Sequence, residues 1–193
     1  MKSTPLLFTP ANAQKSHDGR KVETRRLNGL DDINQDPGSW RLARVGAIDP
    51  RWGACFVKHG QITETFVPCP YGGPGDRLWV REAWRPGGEY AELATSQLRG
   101  SLATRDSIHY RGEPFSESID RWRPSIHMPK WACRTWLELT EVRVEQLGDI
   151  SEDDAVAEGV KSVAEFIELW KSIKKTWEPE LWTWALTYKR VEP

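Results

Sequence analysis

Apolar positions along this chain change their spacing several times, and each change marks an element. Leu6, Leu7 and Phe8 form a short apolar run that reads as a strand over residues 1 to 8. Thr9 followed by Pro10 signals a helix start: the hydroxyl can hold a free first-turn amide, and proline suits the first helical position. The helix predicted from Ala11 to His17 stops at Gly19, which fits a left-handed C-terminal cap. β-Branched Val22 and Thr24 then favour extended chain. Runs at 54–58 and 61–67 flank His59-Gly60 and read as a hairpin. Arg77 to Glu82 alternates, with Leu78 and Val80 on one face and Arg77, Trp79 and Arg81 on the other. The longest strand signal, residues 134–144, carries Leu137 and Leu139 in one phase and Val142 and Val144 in the other. That slip predicts a bulge near Thr140-Glu141.

The C-terminal part switches to helical spacing. Ser151 followed by three acidic residues is a capped helix start, and Gly159 ends that helix. Ser162 with Glu165 opens a second helix, whose Phe166, Leu169, Trp170 and Ile173 share a face. Trp184, Leu186 and Tyr188 then alternate with Thr183, Ala185 and Thr187 in a closing strand. Residues 27–40 are polar and turn-rich and read as a loop, and the tight connection from Pro68 to Asp76 has no regular structure. Residues 85–122 lose periodicity and read as an inserted set of long loops, with a short helix around 91–98. The order predicts an α+β fold: one domain over 1–193, a small antiparallel or mixed barrel with short flanking helices.

Composition narrows the function. The 193 residues carry a net charge of −1 with a pI near 6.4, so a generally basic nucleic-acid-binding surface is not implied. Eleven tryptophans in a chain only 38% hydrophobic must supply much of the core area. Cys55, Cys69 and Cys133 are far apart and odd in number, which argues against a disulfide framework or a structural zinc and for a reducing, cytoplasmic setting. No apolar run approaches the ~20 residues of a membrane helix. The first ten residues do not have the form of a signal peptide. Neither a metal nor a cofactor is expected.

The densest chemistry lies between Asp18 and Arg26, where a glycine, a lysine, a threonine and paired arginines follow the first helix. In a strand Thr24 and Arg26 share a face and Glu23 points away from them. Lys21 can meet Thr24 only from the helix-to-strand bend, which Gly19 permits. Without that bend the segment is a solvated basic edge strand. Trp79 either lines a pocket with Arg81 or packs beneath arginine stems. A second dense stretch, Arg121 to Trp131, mixes cations and aromatics as a nucleotide surface does, and holds His127 as a ligand or packed residue.

Gly19-x-Lys21-x-x-Thr24-x-Arg26 resembles the signature of the ASCH family, small barrels of the PUA-like superfold. The strand from Gly75 to Glu82, the 134–144 strand and the Ser151–Gly159 helix fall in that family's order. The stretches Arg123 to Trp131 and Asp149 to Ala155 are similar to longer ASCH proteins of tailed phages and prophages. The resemblance leaves out the 28–53 loop and the 85–122 insertion. It implies an amidohydrolase removing the acyl group from N4-acetylcytidine or a related modified nucleoside. Lys21, Thr24 and Glu158 would be catalytic, as base, nucleophile and proton donor, with Glu152 and Asp154 competing for the last place. Arg26, Trp79, Arg81 and His127 would bind substrate. The alternatives are a module that binds RNA or a modified base without chemistry, and a ribonuclease. The hydrolase reading requires Lys21 Nζ, the Thr24 hydroxyl and a carboxylate from residues 152–158 to converge on one pocket.

Overall fold

A computed structural model describes residues 2–48, 50–98, 100, 102–113 and 121–192. The elements run β1 (Ser3–Leu7), α1 (Pro10–His17), β2 (Glu23–Arg26), β3 (Trp40–Ile48), β4 (Arg51–Lys58), β5 (Glu64–Pro68) and β6 (Arg77–Arg81). They continue through β7 (Trp84–Pro86), α2 (Leu102–Asp106), β8 (Ile108–Tyr110), β9 (Trp136–Gln146), α3 (Glu152–Ala157), α4 (Val163–Lys174) and β10 (Trp182–Val191). The fold is α+β.

Five strands form one sheet in the order β1-β6-β9-β10-β2, with β1 parallel to β6 and the other pairs antiparallel. Alternation along each strand directs Leu6, Leu78, Val80, Leu137, Leu139, Trp184, Leu186 and Tyr188 into one buried cluster. Ala54 and Phe56, from the second sheet β3-β4-β5, close that cluster from the other side. The bulge lies where the sequence puts it. Thr187 faces Glu141 while Tyr188 faces Leu139, so Thr140 is the extra residue. The bulge lets Val142 and Val144 share the core with Leu137 and Leu139 despite their opposite parity.

The large sheet does not close into the expected barrel among the described residues, but side chains bridge its two outer strands. Arg26 on β2 donates to the Leu7 carbonyl on β1 at 2.8 Å, and its guanidinium lies 5.1 Å from the Phe8 ring centroid. No backbone ladder joins β1 to β2 among the described residues.

The segment from 40 to 53, left as loop in the sequence reading, holds β3, which pairs along β4 from Trp40–Lys58 to Ile48–Arg51. Trp40, Leu42 and Val45 pack against the core, but the register shifts between Leu42 and Arg44, so the apolar residues do not keep one alternating phase.

The insertion is more ordered than a set of loops. Strands β7 and β8 pair, and Trp84, Leu98, Ile108, Tyr110, Met128 and Ala132 form a second buried cluster. The helix expected around 91–98 is a single 3-10 turn at Thr95–Gln97. Residues 114–120 of the expected insertion lie outside the described ones. No helix among the described residues is long and apolar enough to cross a membrane.

Arg134 fastens the insertion to the rest. Its guanidinium donates twice to the fully buried Glu82 carboxylate at 2.9 Å, donates to Gln14 of α1 at 3.0 Å, and lies 4.3 Å from the Tyr110 ring centroid. Burial pushes the Glu82 pKa up, and Arg134 opposes that rise. Arg134→Met leaves a buried carboxylate without its cation, so it should cost about 3–5 kcal/mol in urea denaturation. Adding Glu82→Met should recover most of that loss.

Candidate functional site

Helix α1 ends as its sequence dictates. The Asp18 amide donates to the Gln14 carbonyl at 2.9 Å, and Gly19 takes a left-handed φ of +75°. The chain then folds back: the amides of Arg20 and Lys21 both donate to the Lys15 carbonyl, at 2.8 and 3.1 Å. This bend turns Lys21 inward before β2 begins, and only 1% of it is exposed.

Glu158 meets it from the far end of the chain. Ser151 and Asp154 exchange the reciprocal bonds of a capping box at the start of α3, and Glu158 is the C-terminal cap. Lys21 Nζ donates to the Glu158 carboxylate and to the Glu158 main-chain carbonyl, the latter at 2.9 Å. The second carboxylate oxygen accepts the Arg25 amide at 2.6 Å. Strand β2 pairs with β10 alone, so its other edge is free, and Glu158 satisfies an amide there. The Val22 amide donates to the Ala157 carbonyl at 2.8 Å, and Lys15 Nζ to the Gly159 carbonyl at 2.7 Å, which fixes the same two segments together. Burial pushes the Lys21 pKa below its ordinary value; Glu158 pulls it back up, and Arg26 and Lys15 add to the fall.

The two faces of β2 have different fates. Cross-strand partners share a face, so Thr24 and Arg26 lie on the side of Leu186 and Trp184, while Glu23 and Arg25 lie on the side of Thr187 and Ala185. Arg25 is buried among carboxylates. It bonds Glu23 at 2.8 Å and Glu145, and approaches Asp154 at 3.2 Å. Arg143 reaches Asp154 at 2.8 Å and Glu23 at 3.2 Å. Burial lowers the Arg25 pKa less than Glu145, Glu158 and Glu23 raise it, so this guanidinium keeps its charge.

Thr24 opens on a small, partly open cavity of about 60 Å³ at the free edge of β2. Arg25, Arg26, Glu158, Asn12 of α1 and Lys174 of α4 supply the other polar lining, and Phe166, Leu169, Trp170 and Ile173 of α4 the apolar wall. The Thr24 hydroxyl makes no hydrogen bond among the described residues, although only 4% of the residue is exposed. Lys21 does not itself line the cavity, so of the three groups expected to converge there the Thr24 hydroxyl and the Glu158 carboxylate do, and Lys21 Nζ reaches it only through its bond to Glu158. The competing carboxylates are committed elsewhere. Asp154 serves the α3 cap and the two arginines, and Glu152 accepts the Val163 amide at 3.1 Å.

Three residues expected to bind substrate do not line this cavity. Trp79 lies on the face of β6 opposite Leu78 and Val80, with the Arg81 guanidinium 5.3 Å from its ring centroid. Arg81 donates to the Ile126 carbonyl, and His127 is exposed on a 3-10 turn. Asn12 escaped the sequence reading because a polar residue in a short helix looks solvated. Its one signal is position: it stands one turn before Ser16, which also points inward.

No family model matches this sequence, and no curated protein matches it. Among solved structures, the chain is similar to an ASCH domain from Lactobacillus crispatus, with 12% identity and a TM-score of 0.44 over 98% of this chain and 79% of that one. It is also similar to a protein of Enterococcus faecalis described under the family model DUF984, with 11% identity and a TM-score of 0.42 over 99% of this chain and 80% of that one. Neither likeness carries a residue's role or an activity to this chain.

Gly159 has a φ of +83°, and a Cβ there would stand 3.2 Å from the Lys21 Cβ. Gly159→Ala should therefore cost about 1–3 kcal/mol of stability from backbone strain alone. Calorimetric melting checks this, with Gly38→Ala as the control, since a Cβ at Gly38 meets nothing within 4 Å.

Proposed function

We propose that this protein is an amidohydrolase that removes the acyl group from N4-acetylcytidine or a related N4-acylated cytidine. One observation carries the reading: an unpartnered threonine hydroxyl shares a mostly apolar cavity with a carboxylate that is bonded to a buried lysine. The sequence resemblance assigns chemistry to the same three positions.

In this mechanism Thr24 Oγ attacks the acyl carbon. A hydroxyl is a poor nucleophile near neutral pH and needs a base. Lys21, with its pKa lowered chiefly by burial, takes the hydroxyl proton in its neutral form. The Oγ–C bond forms, Glu158 gives a proton to N4, and the C–N4 bond breaks to release cytidine. The Lys21–Glu158 hydrogen bond then returns the proton from lysine to carboxylate. Water hydrolyses the acyl-threonine by the reverse proton path and releases the acid. The guanidinium of Arg26, two residues along the strand from Thr24, favours the oxyanion formed in each step.

A second reading has its own observation. Lys21 Nζ already makes two bonds to Glu158, as a purely structural ammonium would. That favours a cavity that binds a modified base without cutting it.

Acetate release from N4-acetylcytidine separates the two. Under the hydrolase reading Thr24→Ser should keep measurable activity, whereas Thr24→Val should lose at least ~10²-fold in kcat. Undiminished turnover by Thr24→Val sinks the nucleophile assignment, and a wild type that binds cytidine but releases no acetate leaves the second reading. The pH profile gives an independent check. Lys21 acts as a base only when deprotonated, and the same mechanism needs a proton on its acid, so kcat/KM should follow a bell whose rising limb lies below the ordinary lysine value of 10.5.

A further inference from the structure

Helix α1 turns two polar side chains inward one helical turn apart, and they are treated differently. The Ser16 hydroxyl lies 3.0 Å from the Tyr188 hydroxyl and is satisfied. Asn12 is only 8% exposed, yet its carboxamide makes no hydrogen bond among the described residues, and it lines the Thr24 cavity. The carboxamide is therefore free to bond whatever occupies the cavity. Helix propensity does not explain the residue, since alanine suits a helix better.

Asn12 is not alone in this. The Nε of Arg26 is buried without a partner, its guanidinium bonds only the Leu7 carbonyl, and no carboxylate lies within ion-pair distance among the described residues. The Thr24 hydroxyl on the same cavity also has bonding capacity left over, and Lys174 of α4 adds an ammonium to its rim. An incoming molecule with matching groups would satisfy them all.

We propose that Asn12 is the residue that selects the base, its carboxamide pairing with the N3/N4 edge of a cytosine ring held in the cavity. The inference rests on the reading of this cavity as a site for N4-acylated cytidine. Asn12 Nδ2–H donates to the ring N3, and Oδ1 accepts the N4–H. A carboxamide presents a donor and an acceptor side by side, and this edge presents the complementary pair at the same spacing, the geometry by which asparagine reads an adenine edge. One ring face then rests against apolar side chains of α4, among them Trp170.

Titration calorimetry with cytidine, the deacylated product, tests recognition without requiring turnover. Asn12→Ala and Asn12→Asp should each weaken cytidine binding at least ~10-fold, the second because it keeps the shape but loses the donor to N3. For N4-acetylcytidine the loss should fall mainly on KM. The melting temperature of Asn12→Ala should change little, since the substitution removes no side-chain hydrogen bond among the described residues. N4,N4-Dimethylcytidine, which lacks the N4–H, should bind the wild type poorly. Cytidine affinity and KM that are the same in wild type and both variants overturn the inference, even if acetate release upholds the hydrolase. Binding that depends on Asn12 without acetate release upholds the inference as base recognition and removes the hydrolase. A wild type that neither binds cytidine nor releases acetate overturns both.

Discussion

The buried contact between Lys21 and Glu158 is the constraint on which the rest of this structure depends. Two charges removed from water cost several kcal/mol each, and attraction offsets that cost only when the remaining hydrogen-bonding capacity is filled. Here it is. The ammonium also bonds the Glu158 carbonyl, and the carboxylate also takes the Arg25 amide. The pair therefore does more than neutralise charge: it fixes α3 against the free edge of β2 and holds a carboxylate at the wall of the cavity. It also explains the glycine that follows. A side chain at 159 would crowd the very lysine that the preceding residue binds.

Strand β2 separates the structural charges from the chemical ones. On one face Glu23 and Arg25 join Arg143, Glu145 and Asp154 in a network whose charges are mutually compensated. On the other, Thr24 and Arg26 meet an apolar wall and few partners. Four consecutive residues thus serve two environments through strand alternation alone. The compensated face makes the strand rigid, and the uncompensated face has unused hydrogen bonds to offer a ligand.

Much of this was legible in the sequence because it depends on local rules. The Thr9-Pro10 start, the Gly19 cap, the Ser151 box and the phase slip at Thr140 each follow from nearby residues. So did the shared face of Thr24 and Arg26, and the need for a bend before Lys21 could turn inward. What stayed hidden depends on contacts made across the fold. Strand β3 loses its apolar phase where its register shifts between Leu42 and Arg44. The arginine above Trp79 covers a ring that the sequence left equally open to a pocket. Glu158 entered only through family resemblance, since nothing local distinguishes it from Glu152 or Asp154. Asn12 could not be singled out before α1, β2 and α4 were seen around one space.

The distance along the chain between Lys21 and Glu158 has a consequence for how the molecule comes into being. They are 137 positions apart, and β2 has no sheet partner until β10 arrives near the end of the chain. Closing so long a loop comes late, after local elements and hairpins have formed. A nascent chain can therefore complete the β3-β4-β5 meander, and the strands β6 and β9, while the Lys21–Glu158 contact does not yet exist. The cavity beside Thr24 is assembled only in the finished molecule, and partly folded forms lack it.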